Sequence, residues 1–149
     1  MDRQSLQRGT WRLRPDEIPK RKKKSVQWES FEQSNLFKWA AFNQKKHPVL
    51  QLMFAIPNGI HTTGWAGLRA KREGVKAGVP DIFVPVPRRG FHGLFIEMKR
   101  AKGGTTGDNQ EAWIAALRIQ GYQCEVCHGW AEAKDVLVNY LGLRGVRDL

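Results

Sequence analysis

Asp81, Glu97 and Lys99 are the residues whose types and spacing could do chemistry in this sequence, within GVPDIFVPVP and GLFIEMKR. Both segments read as strands of a sheet interior, where charges are costly unless something compensates them. Alternation along GLFIEMK sends Leu94, Ile96 and Met98 to one face and Phe95, Glu97 and Lys99 to the other. Glu97 and Lys99 then sit about 6.6–7 Å apart along the strand, and a paired neighbour is only ~5 Å away. Asp81 opens that neighbour, so its carboxylate meets the carboxylate of Glu97 if the hairpin register permits. Carboxylate oxygens are hard ligands suited to Mg²⁺ or Mn²⁺. An ion held there would depress their pKa values, polarise a phosphate and activate a water, while Lys99 could orient that water or offset developing charge. Taken separately, the same residues also describe an aspartate capping a turn after Pro80 and a solvated Glu-x-Lys pair. What favours chemistry is their combination on adjacent strands with basic segments on either side.

The elements that must position these groups follow from periodicity. Residues 29–44, with Phe31, Leu36, Phe37, Trp39, Ala40 and Phe42, predict an amphipathic helix ended by His47-Pro48. VLQLMFAIPNG predicts a first strand closed by the Pro57-Asn58-Gly59 turn, and residues 64–73 a short helix stopped at Gly74. The two strands around Asp81 and Glu97 follow, joined by a basic turn at Arg88-Arg89-Gly90. A helix opening between Thr105 and Gln110 runs to Gly121, with Thr106 or Asp108 as its cap. YQCEVCH predicts a fourth strand and residues 131–141 a last helix. The order αβ(α)ββαβα implies an α/β fold: a mixed four-stranded sheet flanked by helices.

Composition sets the class of partner. The 149 residues are 41% hydrophobic, enough for one domain, and 25 Lys and Arg against 14 Asp and Glu give a net charge of +11. That balance points to a polyanion, with nucleic acid ahead of an anionic membrane surface. Residues 1–24 hold nine of the basic residues against three acidic ones and predict a disordered basic arm, with one domain over 25–149. No stretch has the roughly 18 apolar residues of a spanning helix, and no signal-peptide pattern is present; a cytoplasmic location is expected. Cys124 and Cys127 are too few for a disulfide framework. Their CEVCH context matches the haem-attachment pattern, but a strand would point the two thiols to opposite faces. His47, His61 and His92 show no zinc-ligand spacing.

The stretches FAIPNG, GVKAGVPDIFVPVP, GLFIEMKR, Gln110 and GYQCEVCHGW together resemble the VRR-NUC branch of the PD-(D/E)xK nucleases, over residues 29–141. The resemblance is to the short, stand-alone phage and bacterial type. It implies a restriction-endonuclease-like core and a metal-dependent endonuclease acting on DNA. It makes Asp81 and Glu97 the metal-binding acids and Lys99 the catalytic lysine. The family also carries a first-helix glutamate followed one turn later by glutamine; Glu29 with Gln33 fits, and Glu32 is the near competitor for this third metal ligand. Gln110 matches the glutamine after the lysine strand, although Gly107-Asp108 stands where members often have Ser-Pro. Stand-alone members resemble four-way-junction resolvases, and two symmetric incisions imply a homodimer. Its candidate surface is the first helix, with Phe31, Phe37, Trp39 and Phe42 spread around it.

Arg69, Lys71, Arg72 and Lys76 before Asp81, and Arg100 and Lys102 after Lys99, are candidate phosphate contacts; Arg88 and Arg89 add charge in the turn between the strands. Trp65 either stacks on a base or anchors its helix, burial being the expected outcome. The alternative function is a non-catalytic, basic DNA-binding protein whose acids serve as caps and ion-pair partners.

Overall fold

Trp39 and Leu36, each fully buried, fix the helix α1 (Lys23–Asn43) against the body of the protein. The computed structural model describes residues 23–57 and 65–149, with α1 side chains described from Trp28 onward. The expected basic arm therefore falls, up to residue 22, outside the described residues.

After α1 the chain departs from expectation. VLQLMFAIPNG is not one long strand: Pro48–Leu52 forms a 3-10 turn, and β1 is the two-residue strand Phe54–Ala55. Pro48 starts the turn with its fixed φ and lacks the N–H that a strand ladder requires, and the buried Leu50 anchors it. The short helix α2 (Trp65–Arg72) follows and has no buried residue.

The sheet is formed by β1, β2 (Ile82–Val84), β3 (Leu94–Lys99) and β4 (Gln123–His128), in that order. The first three strands pair antiparallel and β4 runs parallel to β3. The parallel pair requires a crossover, supplied by α3 (Asp108–Ile119), and α4 (Trp130–Leu141) closes the fold. The mixed four-stranded sheet with flanking helices is thus the α/β architecture expected.

Every residue of β3 is buried, and its alternation divides the core. Leu94, Ile96 and Met98 join Leu36, Trp39 and Leu137 of α1 and α4 in the larger cluster, while Phe95 packs with Ile114 of α3. Cys127 belongs to the first cluster and Cys124 to the second, as alternation requires. Burial pushes their thiols up to about 12 and about 11, so they pack as small apolar groups and are not reactive nucleophiles.

The β2–β3 connection turns at Arg89 and Gly90, whose positive φ values of 56° and 85° form a tight turn bridged by Arg88 and Phe91. This turn lies at the far end of the strands from Asp81. Arg88 and Arg89 are therefore remote from the expected site, and the Arg89 guanidinium donates to Asn139 Oδ1 of α4 at 2.7 Å.

Candidate active site

Register decides whether the two acids meet. Ile82 lies opposite Ile96 in an antiparallel pair, so one step outward sets Asp81 directly across from Glu97. Asp81 Oδ2 accepts the Met98 N–H at 2.8 Å, which locks the aspartate onto the neighbouring strand. Met98 itself points into the core, so this backbone bond ties the acid to a fixed part of the sheet.

Glu97 is 1% and Lys99 5% exposed. Lys99 Nζ donates to Glu97 Oε1 at 2.8 Å and to Gln110 Oε1 at 3.0 Å. Gln110 Nε2 donates to the same Glu97 oxygen, and Gln110 Oε1 also accepts the Gly107 N–H at 2.9 Å. Gln110 thus joins the start of α3 to the sheet. Gly107, and neither Thr106 nor Asp108, is the residue at the cap position; its extended φ of −93° turns the chain into the helix, and the Gln110 side chain satisfies its N–H.

Glu97 Oε2 is buried with no hydrogen-bond partner. An unsatisfied buried carboxylate oxygen costs stability, and its environment registers this. Burial, and then the like charge of Asp81, push the Glu97 carboxyl up to about 7 against the opposing effect of Lys99, with Glu29 raising it further. Asp81 is raised by burial despite the Met98 bond and Lys99. Glu29 is also raised, first by burial, with the Lys99 charge opposing and the Asp81 charge adding. These acids share one electrostatic environment with one ammonium.

Glu29 reaches the site from α1. It lines, with Asp81, Glu97 and Gln110, a cleft of about 1010 Å³. Glu32 does something else: its Oε2 accepts the Trp130 N–H at 2.8 Å, capping the first turn of α4. Gly129, at φ +90°, enters that turn, and its N–H donates to Lys99 O at 2.9 Å. One helix therefore sends one glutamate to the cleft and the next to a neighbouring helix end.

The loop before Asp81 is equally constrained. Ala77, Gly78 and Val79 line the cleft. Gly78 has φ +89°, and a Cβ there would lie 2.9 Å from the Asn109 backbone; only glycine allows this approach to the start of α3. Trp113 Nε1 donates to Ala77 O at 3.1 Å, tying the same loop to α3 one turn later.

Sequence reasoning missed Ser30, Ser34 and Asn109 as cleft residues. The signal for the serines was their helical spacing, adjacent to the Glu29–Gln33 row and continued by Phe37. Nothing in the sequence marked Asn109. None of Arg69, Lys71, Arg72, Lys76, Arg100 and Lys102 lines the cleft. They lie around it. Lys76 immediately precedes the lining segment, and the Arg100 charge reaches Glu29, lowering its pKa against the larger effect of burial. Arg100 also donates to Gly103 O at 2.6 Å, bracing the turn that holds the exposed Lys102. Trp65 is not buried: it is 86% exposed, on the side of α2 opposite the half-buried Gly67 and Ala70.

Among the described residues, no group of three His, Cys, Asp or Glu side chains is gathered closely enough to enclose an ion alone. Mg²⁺ characteristically takes one or two carboxylates and completes its shell with water and substrate phosphate oxygens. The facing Asp81 and Glu97, with the buried Glu97 Oε2 lacking a partner, fit that smaller demand.

No curated protein matches this chain. A solved VRR-NUC domain protein matches with a TM-score of 0.66 and 26% identity, over 80% of this chain and 90% of that one. The VRR-NUC domain model matches residues 18–131, a span that contains Glu29, Asp81, Glu97, Lys99 and Gln110. With most of the sequence and the sheet topology in agreement, the chain belongs to the VRR-NUC nuclease family.

Proposed function

We propose that this protein is a metal-dependent endonuclease that hydrolyses phosphodiester bonds in DNA, selecting branched substrates such as four-way junctions and acting as a homodimer. The observation that carries the catalytic part is the pairing of Asp81 with Glu97, whose Oε2 is buried and unsatisfied, beside the Lys99 ammonium. Family membership supports DNA as the substrate.

Asp81 and Glu97 would hold Mg²⁺ or Mn²⁺, with Glu29 the third acid on the cleft wall. Bound there, such an ion would supply Lewis-acid polarisation of the phosphate and a more acidic water. The residues do the rest. Lys99 neutralises Glu97 in the resting site and presents an N–H toward the developing negative charge. Gln110 holds Lys99 and Glu97 in register through its two amide ends. The cleft positions the backbone, and Lys76 and Arg100 at its edge, with Lys102 and α2 further out, attract phosphates without reading bases.

The test compares labelled four-way junction, flap, fork, duplex and RNA with Mg²⁺, Mn²⁺ or chelator, using wild type and D81A, E97A and K99A. Metal-dependent cleavage of branched DNA, abolished in each variant while DNA binding persists, is expected. Cleavage surviving in all three variants would reject the site. DNA binding indifferent to metal and to these substitutions, without cleavage by wild type, would instead establish a non-catalytic DNA-binding protein.

A further inference from the structure

Trp65 is the most exposed large hydrophobic residue described, at 86%, and Leu68 one turn on is 44% exposed. Both lie on α2, which buries none of its residues. Gly67 and Ala70 are half-buried on the opposite side of α2, so the indole stands on the helix face turned to solvent, where it adds little to the packing of the described residues. Its surroundings indicate what it meets. At 100° per residue, Trp65, Arg69 and Arg72 lie within an arc of about 60°, so two guanidiniums flank the ring on one helix face. Arg69 Nε is held by Glu73 Oε1 at 2.7 Å, a solvent-exposed pair that leaves the other guanidinium nitrogens to outside acceptors.

The position of α2 matters as much as its surface. The chain leaves the cleft wall at Ala55 and returns to it at Ala77, so α2 is carried on an excursion between two lining segments. Arg72 is five residues from Ala77, a reach of at most about 18 Å, and the helix adds about 10 Å to Trp65. The ring therefore stands within a few nucleotides of a strand lying in the cleft.

We infer that α2 is a base-stacking element: Trp65 stacks on an unpaired nucleobase of the DNA substrate while Arg69 and Arg72 hold the adjoining phosphates. Resting on the nuclease reading, this names the substrate feature recognised, an unpaired base beside the cut strand. A fully paired duplex keeps its bases stacked and offers the indole no face, whereas a gap or fork does. The charge argument selects DNA over an apolar partner, because each neighbour of the ring on that face with a charge is cationic until Glu73.

The experiment measures binding by fluorescence anisotropy in chelator, so that nothing is cut. The probes are a labelled duplex with a short single-stranded gap and the same duplex fully paired. Wild type, W65A, W65F and R69A/R72A are compared. W65A is expected to weaken binding to the gapped probe about 5- to 150-fold, to leave the paired probe within twofold, and to melt at the wild-type temperature. W65F restores most of the loss. R69A/R72A weakens both probes and lowers the salt slope by about two. W65A matching wild type on the gapped probe, or weakening both probes equally, overturns the proposal. So does W65A detaching the protein from phosphatidylserine vesicles while gapped-DNA binding is unchanged, which would make α2 a membrane element. Asp81-dependent cleavage by wild type with no effect of W65A would sink this inference alone; wild type that neither binds nor cuts DNA would sink the nuclease reading with it.

Discussion

Glu29 and Glu32 differ by less than one helical turn, and sequence alone left either of them as the third acid of the site. Hydrogen bonding separates them. Glu32 accepts the Trp130 N–H, whereas Glu29 lines the cleft and shares the field of Asp81 and Lys99. E32A should lose a helix-end acceptor worth about 1 kcal/mol, lowering Tm by about 2–4 °C for a chain of this size, with cleavage per folded molecule retained. E29A should show the converse: an unchanged or slightly higher Tm, since a partly buried acid is removed, and cleavage reduced at least tenfold. Melting curves and initial rates on the same samples check both. Glu97 allows a test by pH. Its carboxyl rises from 4.5 to about 7 on folding, so the folded state binds the proton more tightly than the unfolded chain does. The stabilisation is complete below about 4.5 and is lost as pH rises through about 7. Asp81 and Glu29 shift in the same direction. In chelator, wild type should therefore lose about 3 kcal/mol between pH 4.5 and 8 from Glu97, and E97Q should be flatter by that amount in denaturant titrations. A wild-type profile that rises with pH over this range would contradict the buried placement of the acid.

Short elements carry the geometry here, and they differ in how far sequence could reveal them. The shared face of Glu97 and Lys99 was legible because strand alternation depends on side-chain period alone, with an unbroken apolar row at Leu94, Ile96 and Met98, whereas the register that sets Asp81 opposite Glu97 also depends on the turn and came from the structure. The 3-10 turn at Pro48–Leu52 was not, since an apolar run reads equally as a strand until it is known which carbonyls it pairs with. The exposure of Trp65 was hidden for a similar reason: the residue type predicts burial, and only the tertiary fold shows that α2 turns Gly67 and Ala70 inward and the indole outward. Gly78 lies between these cases. GVPD suggested a turn, but the reason for glycine is tertiary, the Asn109 backbone 2.9 Å from where a Cβ would stand. Gly74 supplies the control, with a similar φ of +92° and nothing within 4 Å of its Cβ position. Both alanine substitutions incur backbone strain of about 1–3 kcal/mol. G78A should in addition push the loop off α3 and displace Asp81, so its cleavage rate should fall at least tenfold while that of G74A stays near wild type. Equal rates for the two variants would mean that the Gly78 approach does not position the acid.

At the scale of the whole molecule, the proposed homodimer needs a self-complementary surface, and α1 carries a candidate for it. The apolar residues expected around its circumference are divided by the fold: Trp39 is fully buried and Phe37 packs against the core, while Phe31 and Phe42 remain 53–55% exposed, and Trp28, outside that expectation, is exposed to the same degree. At 100° per residue those three fall within about 60° of one another, and the rings of Trp28 and Phe31 meet edge to face at 6.1 Å. The exposed aromatics thus form one stripe on a flank of α1, away from the Glu29 row, so a second copy could cover it and leave the cleft open. A twofold contact of this kind is self-complementary, each stripe facing its equivalent. If it forms, a charge on either ring must be buried beside an apolar partner, at a cost of several kcal/mol per dimer. F31D and F42D should therefore shift sedimentation from dimer to monomer at micromolar concentration, with the circular dichroism and Tm of the protomer preserved because both positions face solvent in the single chain. The kinetic consequence is specific. A monomer keeps its acids and its lysine, so it should still nick branched DNA in Mg²⁺, whereas the paired incisions that release linear products from a cruciform plasmid should give way to open circles. Dimers persisting in both variants would place the contact elsewhere, and linear products from a sedimentation-proven monomer would remove the need for a dimer in the reaction.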